Sequence, residues 1–168
     1  MLLLLSLLLL VTGVNARISL DTVFVGDPNN NADTTGMGSV GYGYHIETCE
    51  VRNTQYVAFL NAKATTSDPH GLYNTWMTLA DHAGLNRSRS SGNSTYTVKS
   101  GFENKPMNFV DFRLAARFAN WLSNGQGTGE TENGVYNLNR VSQPVNTDIA
   151  CDVAIWSTGG VAIASENE

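Results

Sequence analysis

Helical periodicity is confined to two stretches of this 168-residue chain, so most of the fold cannot be helical. In the first stretch the apolar side chains recur at i, i+3 and i+4, and they are Tyr56, Phe59 and Leu60. This spacing predicts an amphipathic helix that begins at an Asn53 N-cap and ends by Asp68–Pro69.

The second stretch predicts the better helix, from Asp111 to about Ser123. Asp111 suits an N-cap because its carboxylate can accept hydrogen bonds from free backbone N–H groups at the positive helix end. The predicted apolar face consists of Leu114, Ala115, Phe118, Trp121 and Leu122. Arg113 and Arg117 share another face, which is either a solvated surface or a contact for an anion or carboxylate.

The rest of the chain predicts short strands and long loops. Residues 19–25 and 42–46 alternate as strands do, and Thr95–Val98 could form a third short strand. The 16 glycines and a charged fraction of only 15% fit a loop-rich α+β fold. A net charge of −5 argues against nucleic acid or an anionic membrane surface and leaves a protein or peptide as a candidate partner.

The chain begins with an apolar run, MLLLLSLLLLV, that is too short for a stable membrane span of roughly 20 residues. Val14 and Ala16 are small residues at the −3 and −1 positions of a signal-peptidase site. Residues 1–16 are therefore predicted to be a signal peptide, which makes the protein secreted, periplasmic or displayed at the cell surface. A buried N-terminal segment is the alternative, because no lysine or arginine precedes the run.

Four oxygen-bearing side chains alternate along the first loop, at Asp27, Asn29, Asn31 and Asp33. This spacing can converge on Ca²⁺, which takes six to eight oxygen ligands. The central glycine and closing glutamate of a complete calcium loop are missing, so a polar turn is the competing interpretation.

Other motifs favour structural roles. Gly36–Gly41 matches a nucleotide-binding glycine string, but a strand pattern follows it where a helix should begin, so a turn is predicted. His45, His70 and His82 lack metal-ligand spacing. The sequons at Asn86 and Asn93 indicate an exposed loop.

Cys49 and Cys151 are about a hundred residues apart. In an exported protein they could pair, and so long a loop would contribute several kcal/mol in the chain-entropy model. Two separate buried thiols explain them equally well.

Two blocks of sequence resemble the formylglycine-generating enzyme (sulfatase-modifying factor) family. Residues 44–60 (YHIETCEVRNTQYVAFL) resemble its motif Y-x-I-x-x-x-E-V-T-N-x-Q-Y-x-x-F-L, and residues 106–122 resemble its motif P-V-x-x-V-S-W-x-D-A-x-x-F-A-N-W-L. The final IASENE is similar to the beginning of the family motif L-P-[ST]-E-x-E-W. The resemblance covers residues 21–168 and only the N-terminal part of the family domain.

The resemblance implies a loop-rich, C-type-lectin-like fold, incomplete at the C-terminus, with residues 17–168 as its N-terminal part. Complete family enzymes use copper to oxidise a sulfatase cysteine to formylglycine, and they contain structural calcium. Their catalytic cysteines correspond to positions beyond Glu168. No catalytic or cofactor-binding residue is therefore carried over to this chain.

Several departures from the family pattern suggest a drifting or non-catalytic copy. Arg52 replaces the N-cap threonine, which should move the cap to Asn53 or weaken it by about 1 kcal/mol. Cys49 replaces an aromatic residue, Leu114 replaces an aspartate, and Ala164 replaces a proline.

Two hypotheses follow. In the first, the chain is a fragment of an exported, metal-dependent oxidase of protein cysteine, and the family blocks are scaffold. In the second, it is a non-catalytic secreted binding or surface module with the same fold. The first hypothesis expects core residues and not site residues at six positions: Tyr56, Phe59, Leu60, Phe118, Trp121 and Leu122.

Overall fold

The computed structural model describes residues 17–140. The predicted signal peptide, Cys151 and the final IASENE lie outside the described residues. The elements in chain order are β1 (Thr22–Val25), β2 (Tyr44–Glu47), α1 (Asn53–Lys63), α2 (Trp76–Leu79), β3 (Leu85–Ser90), β4 (Asn93–Val98), α3 (Phe112–Ser123) and a 3₁₀ turn at Leu138–Arg140. The strands form two antiparallel pairs, β1–β2 and β3–β4, so this part of the chain is a mixed α/β structure with small sheets and long loops.

The two helices carry the core. The rings of Tyr56 and Phe59 from α1 meet those of Phe118 and Trp121 from α3 at centroid distances of 5.2 to 5.9 Å. Leu60 is fully buried among them. Such tilted and edge-on ring pairs add about 0.5–1.5 kcal/mol each beyond their buried area. The predicted core is confirmed for these five residues, and Leu122 is only partly buried at its edge.

Two buried asparagines connect this core to the loops. The Nδ2 group of Asn53 donates to the carbonyls of Phe102 and Lys105, at 2.9 and 3.0 Å. Asn120 donates to the carbonyls of Thr131 and Tyr136 and accepts from the Tyr136 N–H, each at 2.8 Å. The loops therefore obtain their backbone partners from the helices rather than from a sheet.

A glycine lies directly against each of these asparagines. A Cβ at Gly84 would be 2.5 Å from Asn53 Nδ2, and one at Gly134 would be 2.8 Å from Asn120 Oδ1. Both distances are shorter than any ordinary contact, so only glycine allows these loops to pass over the amides.

The β3–β4 hairpin is the largest element that the sequence did not predict. Its turn is Ser91–Gly92, with φ of 50° and 83°, which is the two-residue geometry that matches strand twist. The predicted strand at Thr95–Val98 is confirmed and begins two residues earlier, at Asn93. Asn86 and Asn93 are exposed, but they lie on strands, so their placement in a loop was wrong.

Helix α1 ends earlier than predicted, at Lys63 instead of near Asp68. The residues that follow the helix form hydrogen bonds with β4. Tyr96 Oη donates to the Ala64 carbonyl at 3.1 Å, and the Ser94 N–H donates to the Thr65 carbonyl at 2.7 Å. Asp68 organises the next loop by accepting from the N–H groups of Leu72 and Tyr73.

The start of α1 also differs from the prediction. Arg52, not Asn53, occupies the N-cap position, and its side chain makes no capping hydrogen bond. Half of the capping box survives, because Gln55 Oε1 accepts from the Arg52 N–H at 2.7 Å. The Asn53 N–H donates to the Lys105 carbonyl at 3.0 Å, so a neighbouring loop satisfies the first donor of the helix.

Replacing Arg52 with threonine should restore the missing cap. We expect Arg52→Thr to raise the free energy of unfolding by about 0.5–1 kcal/mol, measured by urea denaturation. Arg52 also pairs with Asp21 at 3.0 Å, but Asp21 is 73% exposed, so losing that pair should cost less than about 1 kcal/mol. Asp21→Asn is the control that removes the ion pair alone, and an Arg52→Thr chain less stable than this control would contradict the prediction.

The prediction for Asp111 is confirmed. Its Oδ1 accepts from the Leu114 N–H at 2.9 Å, and α3 runs from Phe112 to Ser123. The alternatives for Arg117 are also decided, because its Nε and Nη2 donate to the Glu132 carboxylate at 2.7 and 2.9 Å. This fork ties the loop after α3 to the helix.

Glu132 is ionised in the fold. Partial burial opposes the charge, but the hydrogen bonds and charge of Arg117 outweigh it and, with His70 and Thr131, hold the pKa of Glu132 below its ordinary value. His70 Nε2 lies 3.5 Å from Glu132 Oε1.

This lowered pKa predicts a loss of stability in acid. Because the folded pKa lies below the unfolded one, the stabilisation is complete above the ordinary value of 4.5 and is lost as the pH falls through the folded pKa. We expect Glu132→Gln to lower the free energy of unfolding by about 1–2 kcal/mol at pH 7 and to flatten its decline below pH 4.5, in urea titrations across pH. Glu130→Gln, at an exposed neighbouring carboxylate, should do neither; equal slopes in the two variants would contradict this assignment.

Candidate functional site: an apolar groove beside the third helix

An open groove of about 600 Å³ lies between strand β2, the loop before α3, and one face of α3. Most of its lining side chains are apolar. The lining residues are Leu20, Tyr44, His45, Ile46, Glu47, Glu50, Val51, Tyr56, Pro106, Met107, Asn108, Val110, Ala115, Phe118, Ala119 and Leu122.

The local fold explains why these walls stand apart. The loop before α3 is fixed to the chain before α1 by the bridge between Arg52 and Pro106 and by a 2.8 Å bond from the Met107 N–H to the Val51 carbonyl. Strand β2 pairs only with β1 among the described strands, in the register Ile46 opposite Val23. The residues of β2 that line the groove are therefore not covered by another described strand.

Tyr56 connects the groove to the aromatic core. Its hydroxyl donates to the Leu72 carbonyl at 3.0 Å. Burial, reinforced by the carboxylates of Asp68 and Asp111, raises the pKa of Tyr56 well above its ordinary value. The phenol is therefore a neutral structural donor and not an acid–base group at ordinary pH.

Two of the polar side chains at the groove, Glu47 and His45, are engaged in structural contacts. Glu47 Oε1 accepts from Gln55 Nε2 at 3.0 Å, and His45 Nδ1 lies 3.4 Å from the Thr22 hydroxyl. The His45 ring also packs against Phe24, with centroids 5.3 Å apart. The groove thus offers an apolar surface with a sparse polar rim, which suits an apolar stretch of polypeptide.

The structure does not bring the three histidines together at the groove. His70 reaches Glu132, and His82 stacks on Phe109 with ring centroids 5.2 Å apart. Across residues 17–140, no group of three or more His, Cys, Asp or Glu side chains is arranged to hold a metal ion. Cys49 is exposed and unpaired within this range.

The four calcium candidates lie on the exposed loop between β1 and β2, away from the groove lining. Asp33 closes its own turn, because Oδ1 accepts from the Thr35 N–H at 2.7 Å, from the Thr35 hydroxyl and from the Met37 N–H at 3.3 Å. These hydrogen bonds lower the pKa of Asp33. Asn29 has a φ of 64°, and the adjacent Asn30 side chain bonds Gly38 and Val40 across the loop. Gly36 and Gly38 have positive φ, as the predicted turn requires.

Calcium binding by Asp27, Asn29, Asn31 and Asp33 stays a prediction, and titration calorimetry with Ca²⁺ tests it. We expect a binding heat that disappears in Asp27→Asn, because a carboxylate ligand is replaced by a weaker neutral oxygen. Asp27 is the better position than Asp33, whose carboxylate also holds the turn. Asp81→Asn, outside this loop, is the control, and a titration without heat in the unmodified chain would remove the site.

The comparison with protein families explains what the groove walls are. The family model of the sulfatase-modifying factor enzyme 1-like domain matches residues 26–154, which is most of the chain. The chain belongs to this family. Searches of curated proteins and of solved structures found no significant match.

The two blocks that resemble the sulfatase-modifying factor signatures form both sides of the groove. Residues 44–60 supply β2 and the start of α1, and residues 106–122 supply the loop and most of α3. Every lining residue except Leu20 comes from one of these blocks.

Sequence reasoning identified these blocks but not the groove. Ala115 and Leu122 were assigned to an apolar helix face, and periodicity does not reveal which part of such a face stays uncovered. The sequence feature that came closest to indicating the groove is the width of the apolar face of α3. That face is wider than contact with a single neighbouring helix requires.

Proposed function

We propose that the described residues are the scaffold of an exported formylglycine-generating-enzyme-like domain with a C-type-lectin-like fold. The complete form of that domain would be a metal-dependent oxidase of protein cysteine. The observation that carries this proposal is the position of the two signature blocks. They build an aromatic core and the walls of one groove, and among the described residues they place no group of His, Cys, Asp or Glu side chains there that could hold a metal ion.

The described residues do not fit a copper site. Cys49, the cysteine within residues 17–140, is exposed, and no cluster of three metal-binding side chains accompanies it. Thiolates are the ligands that Cu(I) prefers, so oxidase chemistry would require cysteines outside the described part. The role proposed for residues 17–140 is to fix the shape of the domain and of a peptide-sized apolar surface.

A second candidate function is a secreted binding module without catalysis. The open apolar groove favours it, because a sparse polar rim and a protonated Tyr56 suit recognition of an apolar peptide rather than proton transfer. In both candidates the protein acts outside the cytoplasm, as the leader predicts. Among the described residues, no helix has the length and apolar character needed to cross a membrane.

One experiment separates the two candidates. We would read the genomic frame beyond codon 168, express the entire product with copper, and incubate it with oxygen and a cysteine-containing sulfatase peptide. Mass spectrometry should detect an aldehyde in place of the thiol, because oxidation of the cysteine side chain by oxygen releases its sulfur as hydrogen sulfide. Replacing a downstream pair of cysteines with serine should abolish this product. Copper-loaded product that leaves the peptide unchanged would overturn the oxidase proposal.

The outcome for the binding module is equally specific. A stop codon after Glu168, together with a single cooperative urea transition of the purified 168-residue chain, would favour the non-catalytic module. Cooperative unfolding matters because a scaffold that lacks half of its core should unfold gradually or aggregate.

A further inference from the structure

We infer that the groove beside α3 is covered by this chain's own C-terminal segment, with residues 153–163 in contact with the groove walls. The inference concerns an intrachain interface and does not depend on whether the protein is an oxidase. If it holds, the groove is not free for a separate peptide, which counts against the binding-module candidate.

The first argument is the point where the described chain ends. The 3₁₀ turn Leu138–Arg140 is the last described element, and Leu138 packs with Ala116 and Ala119 of α3. Ala119 is itself a groove-lining residue. The chain therefore leaves the described part directly beside the groove, on the helix that forms one of its walls.

The second argument is composition. Residues 153–165 (VAIWSTGGVAIAS) form an uncharged run, flanked by Asp152 and Glu166. Five large apolar residues lie within it: Val153, Ile155, Trp156, Val161 and Ile163. An uncharged segment loses little solvation when it is buried against apolar walls, while the flanking carboxylates can stay in water at the rim.

The third argument is reach. Twelve residues, 141–152, separate the described part from this run. An extended chain of that length spans up to about 40 Å, whereas the 12 residues of α3 are about 18 Å long. The linker is therefore long enough for residues 153–163 to reach any part of the groove wall that α3 forms.

Two further observations agree with this assignment. The Asn137 side-chain oxygen, close to the end of the described chain, is buried and lacks a hydrogen-bond partner among the described residues, so a donor is needed there. The family match also continues to residue 154, so residues 141–152, which lead to the segment, belong to the same domain.

Tryptophan fluorescence of the full chain tests the inference, because the chain has three tryptophans. One is exposed, one is buried, and the third belongs to the segment in question. Trp76 is 59% exposed, Trp121 is 2% exposed, and Trp156 lies in the segment. The contribution of each is obtained by subtracting the spectrum of its phenylalanine variant. We expect the Trp156 emission to be blue-shifted and several-fold less quenched by acrylamide than that of Trp76. Quenching of Trp156 equal to that of Trp76 would overturn the inference.

A charge in the groove then shows whether Trp156 is buried there or elsewhere. Ala115 is exposed and lines the groove, and alanine and glutamate are both good helix formers, so Ala115→Glu should leave α3 intact. We expect Ala115→Glu to shift Trp156 emission to the red and raise its quenching, while Trp121 stays protected. Ala32→Glu, at an exposed alanine outside the groove, should change neither. Continued protection of Trp156 in Ala115→Glu would place the segment elsewhere.

Dilution distinguishes the chain's own segment from that of a second copy. Intrachain contact predicts Trp156 quenching that is independent of protein concentration. Protection that disappears on dilution, together with a change in sedimentation, would assign the groove to a neighbouring molecule and overturn the inference.

Discussion

The described fold depends on two buried amides, those of Asn53 and Asn120, which hold loops against the helix pair. Long loops are costly to bury because their backbone groups need partners that a sheet would otherwise supply. Each asparagine provides two donors and an acceptor in one side chain, and each approaches its loop beneath a glycine. Asn53 lies on α1 and Asn120 on α3, and these two helices build the aromatic core. Detaching either loop would therefore expose part of a helix on which the core depends.

The groove depends on the same constraint. Asn53 binds the carbonyls of residues 102 and 105, and the Arg52–Pro106 bridge continues directly into the loop that forms a groove wall. The opposite wall is α3, whose following loop is fixed by Asn120 and by the Arg117–Glu132 pair. Neither wall is therefore a free loop, and the apolar surface between them is held in shape before any partner contacts it.

The sequence predicted an element correctly where the apolar periodicity and a capping residue agreed. Helix α3 was predicted with its cap, because Asp111 and the apolar spacing after it point to the same boundary. Prediction failed where the deciding contacts leave no repeated pattern in the sequence. Leu85–Ser90 has almost no apolar alternation, yet it pairs with β4 along its whole length, and Arg87 bonds Ser94 and lies over the Tyr73 ring. The groove could not be predicted either, since its walls come from blocks about 50 residues apart.

The surface of helix α3 supports the inferred interface at the groove. Leu114, Phe118 and Trp121 face α1, whereas Ala116 and Ala119 pack on Tyr136 and Leu138. Ala115 and Leu122 continue the apolar surface into the groove. The apolar surface of α3 is therefore covered by described residues on two sides and open at the groove, and small alanines permit close approach of a covering chain. The Arg117 side chain of α3 is 11% exposed, and its charge is paired with Glu132, as a charge largely removed from water requires.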